Sequence, residues 1–294
     1  MSRLAIDIGG TWLRYELVGP QEFCGKIPSR KRGLKAFIEE AMRTCPDIDT
    51  IAVSYAGQVH GGSILSAPNI EVDEPDIADW VEAAYGIPLM LENDLNCAAL
   101  AESVYWESGH LVALYSGTGL GSGIIEKGEI FHGFRSLAAE VGHVPYRKAP
   151  FRCGCGKDNC LELYASGSGL QKWMRQTGCE GEPDLGAWVD YGETRNENRE
   201  SGNENQQKVC HDIAIKYLEA LSHAAATLVT LCNPEVLVLG GGVVAHNPWV
   251  ADEVRTRMGG LALAASLEGL RIERSAIQDA SLEGAKILLD RIGI

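Results

Sequence analysis

A chain of 294 residues with 45% hydrophobic content and 34 glycines can bury a sizeable core, as one large or two moderate domains. A net charge of −14 argues against binding a phosphate backbone, and no apolar run approaches the ~20 residues that cross a bilayer. Nine cysteines, scattered apart from one trio, and no stretch resembling a signal peptide point to a reducing, cytoplasmic setting rather than a disulfide framework.

Leu4 to Ile8 reads as a buried strand, Gly9-Gly10-Thr11 as a tight turn and Trp12 to Val18 as the returning strand. Gly33 to Arg43 has helical periodicity, and Ile51 to Ser54 and Leu89 to Leu91 are short apolar runs suited to buried strands. A helix carrying Ala98, Ala99 and Ala101 runs from Asn96 to Trp106, and the first domain is expected to end near Ser108-Gly109. The opening plan then recurs: a strand at Leu111 to Tyr115, a glycine-rich turn at Gly117 to Gly121, and a strand at Gly123 to Ile130. Glu180 to Gln207 is polar and charged and reads as an exposed loop or mobile helix connection. His211 to Cys232 is a long helix ended by Asn233-Pro234, and Val236 to Leu239 is a strand leading to Gly240-Gly241-Gly242. A last helix covers Ser281 to Ile292.

The glycine turns are not a P-loop, because G-x-x-x-x-G-K-[ST] is absent from the chain. Neither leads directly into a helix, as a Rossmann loop should. What remains is an α/β, actin-like (ribonuclease H-like) architecture: two lobes, each with a phosphate-gripping hairpin, flanking a cleft.

The densest chemistry lies between Glu140 and Glu162. Glu140-Val141-Gly142-His143 is followed by Cys153-Gly154-Cys155-Gly156-Lys157-Asp158-Asn159-Cys160-Leu161-Glu162. Cys153, Cys155 and Cys160 with His143 can form a tetrahedral Cys3His set, the ligand mix of a closed structural zinc site. Three reduced core cysteines without metal are the alternative. Glycines between the cysteines and polar neighbours suit a metal-binding turn better than a buried element.

With these motifs the chain resembles the ROK family of sugar kinases and their repressor relatives. The resemblance rests on Glu-x-Gly-His and Cys-Gly-Cys-Gly-x-x-x-Cys-x-Glu, and on Asp7-Ile8-Gly9-Gly10-Thr11. It extends to Glu92-Asn93-Asp94-Leu95-Asn96, Gly117-Thr118-Gly119-Leu120-Gly121, and Asn233-Pro234-Glu235 before the triple glycine, in family order over essentially the whole chain. It implies the actin-like fold and a last helix packed back on the first domain. The expected domains are therefore 1–108 with 280–294, and a larger 109–279 carrying the zinc motif.

The resemblance implies an ATP- and Mg²⁺-dependent kinase transferring the γ-phosphoryl group to a hexose, foremost O6 of glucose. N-acetylglucosamine, N-acetylmannosamine and fructose are the alternative acceptors. Asp94 is the candidate general base; otherwise it is the N-cap of the helix that follows. Asn69, Asn93, Asp94, Glu140, His143 and Glu162 are the implied sugar contacts, since a hexose site needs several fixed donors and acceptors. Gly9, Gly10 and Thr11, with Gly117, Thr118 and Gly119, would approach the phosphates through backbone N–H groups. Asp7 would orient Mg²⁺ or its water shell, and Gly240, Gly241 and Gly242 would let adenosine lie against the backbone. Each glycine cluster taken singly is as well explained as a plain turn.

Three positions depart from the family pattern: Trp12 where a small or polar residue is usual, Ala56-Gly57 for Pro-Gly, and Ala139 for the glycine before the Glu-x-Gly-His acid. Two other functions compete, a sugar-responsive repressor and a catalytically silent sugar sensor. Six residues precede Asp7, too few for a helix-turn-helix. The expected protein is a cytoplasmic enzyme, dimeric or tetrameric as the family usually is, with no nucleic-acid or membrane partner.

Overall fold

A computed structural model of the chain describes residues 2–179, 183–193 and 204–291. Two compact units emerge: Met1–His110 with Gly123–Ala139 and Ile277–Ile294, and Leu111–Ser122 with Glu140–Ala276. Gly123–Ala139, which the sequence reading kept with the second domain, clusters with the first unit.

In the first unit β1 (Ser2–Ile8), β2 (Trp12–Val18) and β3 (Cys24–Pro28) form an antiparallel meander. After α1 (Leu34–Thr44) come β4 (Ile48–Tyr55), the β5 (Gln58–His60) and β6 (Ser63–Ser66) hairpin, α2 (Ile77–Tyr85) and β7 (Leu89–Asn93). The sheet order is β3-β2-β1-β4-β7, with β4 parallel to both β1 and β7. Strands β1 and β4 are buried along nearly their whole length, as parallel strands covered on both faces must be. Leu4, Ile6, Ile8, Ile51, Val53 and Tyr55 pack with Phe37 and Ile38 of α1 and with Ile77 and Val81 of α2. Each such side chain contributes roughly 1.5–3 kcal/mol by leaving water.

Helix α3 (Asp94–Tyr105) follows β7 without a loop and is buried on every side from Asn96 to Ser103. Its alanines allow backbones to approach closely, and glycines meet it from two neighbours. A Cβ on Gly123 would lie 2.3 Å from the Leu95 carbonyl oxygen, and one on Gly284 would lie 1.9 Å from that of Cys97. Gly123 belongs to β9 (Leu120–Glu126) and Gly284 to the last helix, so this close packing draws Gly123–Ala139 and the chain's end into the first unit.

The second sheet runs β10-β9-β8-β11-β12, with β8 (His110–Ser116) parallel to β11 (Val236–Gly240), and β11 parallel to β12 (Arg271–Arg274). β10 (Glu129–Ile130) pairs antiparallel with β9. Position for position this repeats the first sheet's order, the duplication expected from the two strand–turn–strand motifs. The strand expected at Gly123 to Ile130 is two: it turns at Lys127 and Gly128, both at positive φ.

The second unit's helices are α4 (Gly167–Thr177), α5 (Leu185–Glu193), α6 (Glu204–Cys232), α7 (Gly242–His246), α8 (Val250–Met258) and α9 (Ala264–Leu267); α10 (Ala280–Arg291) returns to the first unit. Of the polar stretch Glu180 to Gln207, residues 180–182 and 194–203 lie outside the described residues. Leu185–Glu193 is helical, and α6 begins at Glu204, upstream of the expected His211. Asn233, left-handed at φ 44, ends α6 just before Pro234. Against the expectation of reduced cysteines, Cys179 and Cys210 form a disulfide with Cα atoms 5.7 Å apart. A sequence separation of 31 left no spacing signal for it. Among the described residues no helix is long and apolar enough to cross a membrane.

Candidate functional site

Asp7 stands near the end of β1, beside the turn at Gly9-Gly10-Thr11 that the Gly9 N–H closes onto the Trp12 carbonyl at 2.9 Å. Register places Arg14 of β2 and Ser54 of β4 directly opposite Asp7, and Glu92 of β7 opposite Ser54. Directly opposed residues share one face of the sheet, so these four side chains form a polar rung across it. Ser54 Oγ donates to Asp7 Oδ1 (2.9 Å) and Arg14 Nη1 to Asp7 Oδ2 (3.0 Å); Arg14 Nε also pairs with Asp279. Burial pushes the Asp7 carboxyl above its ordinary range, and Ser54 and Arg14 pull it back.

At the head of α3 the cap is Asn93, whose side-chain oxygen accepts from the N–H groups of Leu95 (3.0 Å) and Asn96 (3.2 Å). Its amide nitrogen donates to the Gly57 carbonyl (3.0 Å) and to Asp94 Oδ1 (3.2 Å). The cap role weighed for Asp94 therefore falls to its neighbour, and Asp94 occupies the first helical position, half-buried. Helix α3 begins two residues earlier than Asn96 for this reason. The Cys97 thiol, fully buried one turn on, is pushed well up by burial and then by Glu92, Asp7 and Asp94, so three carboxylates converge there. Asn69 is exposed and packs beside the first glycine turn: a Cβ on Gly10 would lie 2.9 Å from the Asn69 Cβ. Thr11 is exposed at the same turn.

In the second unit the metal-ligand atoms of His143, Cys153, Cys155 and Cys160 all lie within 4.8 Å of one another. Cys155 Sγ is 3.4 Å from Cys160 Sγ, and Cys153 Sγ is 3.6 Å from His143 Nδ1. A tetrahedron with zinc–sulfur bonds of ~2.3 Å has edges of about 3.7 Å, so the donor set fits zinc. Burial pushes the Cys153 thiol up, and the Cys160 thiol to about 11, and a bound cation would hold them as thiolates. His143 Nδ1 faces the cysteines, while Nε2 faces Glu140 Oε2 at 3.9 Å.

Glu162 ties this cluster to the second glycine turn. Its Oε2 accepts from the Leu120 N–H (3.2 Å) and its Oε1 from Cys153 Sγ (3.2 Å). Gly142 is a steric requirement here, and Gly119 leaves room for the Glu162 carboxylate. A Cβ on Gly119 would meet Glu162 Oε2 at 2.7 Å, and one on Gly142 would meet the Leu120 carbonyl oxygen at 2.1 Å. The Gly117 and Thr118 carbonyls accept from the N–H groups of Gly167 and Ser168 at the start of α4, leaving Thr118 exposed. Gly240 packs flat on the Tyr115 ring, Gly241 has φ 86, and Gly242 opens α7 with nothing within 4 Å of a Cβ. Each unit thus gathers its own predicted residues. Sequence reading missed Arg14, Ser54 and His132, and it quoted Glu92 and Asn96 without a role; only strand register and loop contacts bring them in.

The repeated sheet order and glycine hairpins define the actin-like ATPase fold. The glucokinase of Streptomyces griseus, solved with glucose and AMPPNP, matches it with a TM-score of 0.74 at 24% identity, covering 99% of this chain and 100% of that one. The chain belongs to the ROK family, whose model matches residues 3–292. A glucokinase of Streptomyces coelicolor is 28% identical over 86% of this chain and 85% of its own. A xylose repressor of Caldicellulosiruptor bescii is 26% identical over 83% of this chain, which spans 63% of that protein's length.

Proposed function

We propose that this protein is an ATP- and Mg²⁺-dependent sugar kinase that phosphorylates a hexose, foremost glucose at O6, with N-acetylglucosamine, N-acetylmannosamine or fructose as the alternatives. The observation that carries the reading is the assignment of the α3 cap to Asn93, which sets Asp94 at the first helical position with its Oδ1 accepting from the Asn93 amide and the Leu95 N–H. Asp94 takes the proton from the acceptor hydroxyl as the γ-phosphoryl group arrives. Asn69, Asn93, Glu140, His143 and Glu162 hold the sugar hydroxyls. Asn93 does so while its amide steadies Asp94. Backbone N–H groups at Gly9, Gly10, Thr11, Gly117, Thr118 and Gly119 serve the phosphates, and Gly240 to Gly242 the adenosine. Asp7, which accepts from Ser54 and Arg14, would orient Mg²⁺ or its water shell.

Zinc at His143, Cys153, Cys155 and Cys160 would be structural, since four protein ligands leave no open position. Ligation through Nδ1 would fix the His143 ring with Nε2 presented beside Glu140. A cytoplasmic homo-oligomer without nucleic-acid or membrane partners completes this reading. The likeness to a xylose repressor supports a second one, a sugar-binding sensor without turnover.

One assay separates the two: coupled ADP release with ATP and Mg²⁺ against glucose, N-acetylglucosamine, N-acetylmannosamine, mannose, fructose and allose. The kinase gives one preferred sugar, and Asp94→Asn then loses at least ~10²-fold in kcat with sugar affinity kept. Silence across the panel from zinc-loaded, folded protein favours the sensor. An Asp94→Asn enzyme retaining more than a tenth of wild-type turnover removes the base assignment.

A further inference from the structure

Glu92 is a carboxylate almost out of solvent, with 11% of its side chain exposed, on the same sheet face as Asp7 and one residue from the Asn93–Asp94 pair. Such a charge must be paired or heavily hydrogen-bonded. Its two oxygens divide the task. Oε1 accepts from the Asn93 backbone N–H (2.8 Å) and from Asn96 Nδ2 (2.9 Å), so it grips the last residue of β7 and the first turn of α3 together. Oε2 lies 2.6 Å from Nε2 of His132.

His132 sits in the segment that follows β10. The Ala138 N–H donates to the His132 carbonyl (3.1 Å), closing the chain between them into a loop. The loop is fastened to the rest of the unit twice, by His132 to Glu92 and by Ser136 Oγ to His60 Nδ1 (3.0 Å). Both fastenings line a cleft of ≈240 Å³ along the β7 edge.

We propose that His132 is a positioning residue for Asp94: it holds Glu92 Oε2 so that Oε1 fixes Asn93 and Asn96, and the Asn93 amide in turn fixes Asp94. This inference rests on the kinase reading. The chain of contacts is continuous, and its last bond reaches the proposed base directly, from Asn93 Nδ2 to Asp94 Oδ1 at 3.2 Å. When protonated, His132 also pairs with Glu92 in charge, while Arg14 is committed to Asp7 and Asp279.

Charged and titratable groups reach His132 from several elements. Glu92 comes from β7; Glu129, which is paired with Arg291 of α10, comes from β10; His60 of β5 lines the same cleft. The Glu92 hydrogen bond, and after it the charges of Glu92 and Glu129, raise the imidazole above its ordinary value against the opposing effect of burial. A raised histidine holds its charged partner fully below its unfolded value. It releases that charge as pH rises through the raised value. The neutral ring then keeps at most an ordinary hydrogen bond in place of a charge-assisted one.

The test compares wild type, His132→Ala and His132→Gln in the ADP-release assay, over the neutral to alkaline range, on the sugar that wild type prefers. His132→Ala is expected to lose about 10- to 100-fold in kcat, the scale set by a small misplacement of a reacting group, with the sugar KM little changed. His132→Gln keeps a donor toward Glu92, so it restores most of kcat and removes the alkaline fall that wild type shows. The side chain is 45% exposed, so both variants should fold. Imidazole NMR titration of wild type and Glu92→Gln reads the pair without any turnover, and loss of Glu92 should lower the His132 transition.

An active wild type whose His132→Ala variant keeps its kcat and pH profile overturns this inference alone. So does a loss that appears in KM rather than kcat, or one that glutamine fails to rescue. A wild type that phosphorylates no sugar overturns the kinase reading and this inference with it, while the titration still reports the pair.

Discussion

Ala139 stands at φ 66, in the left-handed region where an L side chain costs roughly 1–2 kcal/mol. This is the position where the family pattern has glycine, and it immediately precedes Glu140, a proposed sugar contact. Ala139→Gly would remove that cost but add unfolded-chain freedom worth about 0.5–1 kcal/mol, so stability should rise by at most about 1.5 kcal/mol. Ala139→Val, β-branched at positive φ, should fall by about 1–2 kcal/mol. Urea unfolding of the three proteins checks the order; valine at or above alanine would remove the strain. Ala56 is a departure of a different kind. Its N–H donates to the Ile8 carbonyl at 2.9 Å, a bond the family's proline cannot make, so here the substitution adds a tie between β4's end and β1. Trp12, the third departure, is 38% exposed with Lys26 Nζ 4.6 Å from its ring centroid.

At the scale of elements, the Cys/His loop and the second glycine turn form one assembly through Glu162 and Gly142. Removing the metal should therefore disturb more than the cysteines. Cys155→Ser is expected to carry less zinc, to melt lower, and to bind sugar less tightly, since a cation would no longer hold His143 and the cysteines beside Glu162 in place. Metal analysis beside thermal unfolding checks this, and wild-type protein devoid of zinc would remove the cluster reading. Much of this was legible in advance. Glycine turns, alternating apolar runs and the C-x-C spacing mark local structure, and they placed β1, β2, α1, β7, β8 and β11 to within a few residues. The start of α3 was misplaced because Asn and Asp are both good caps and spacing does not choose between them. His132 carried no signal, since its partner Glu92 is forty positions away in sequence and meets it through a loop.

At the scale of the whole molecule, the first unit is assembled from three separate stretches of chain. Its closing piece is α10, which packs against α3, β1 and β4. Gly284 is what permits that approach, because a methyl group there would stand 1.9 Å from the Cys97 carbonyl oxygen. Gly284→Ala should cost about 3 kcal/mol or more, at the upper end of overpacking, as the obstacle is backbone and cannot rotate away. Calorimetry would show it, and an unchanged melting temperature would mean that α10 docks differently. The resemblance had anticipated that this helix returns to the first domain; the glycine that lets it do so was invisible, because a helical glycine in sequence says nothing of what it faces.

The order of assembly follows from the same discontinuity. A ribosome makes β1 long before α10, yet these two cover one another in the finished unit. Leu4, Ile6 and Ile8 find α1 and α2 early, but the opposite face of β1, where Arg3 pairs with Asp290 of α10, waits for a partner that has not been made while residues of the second unit emerge in between. The nascent chain thus carries one face of β1 uncovered until α10 has emerged.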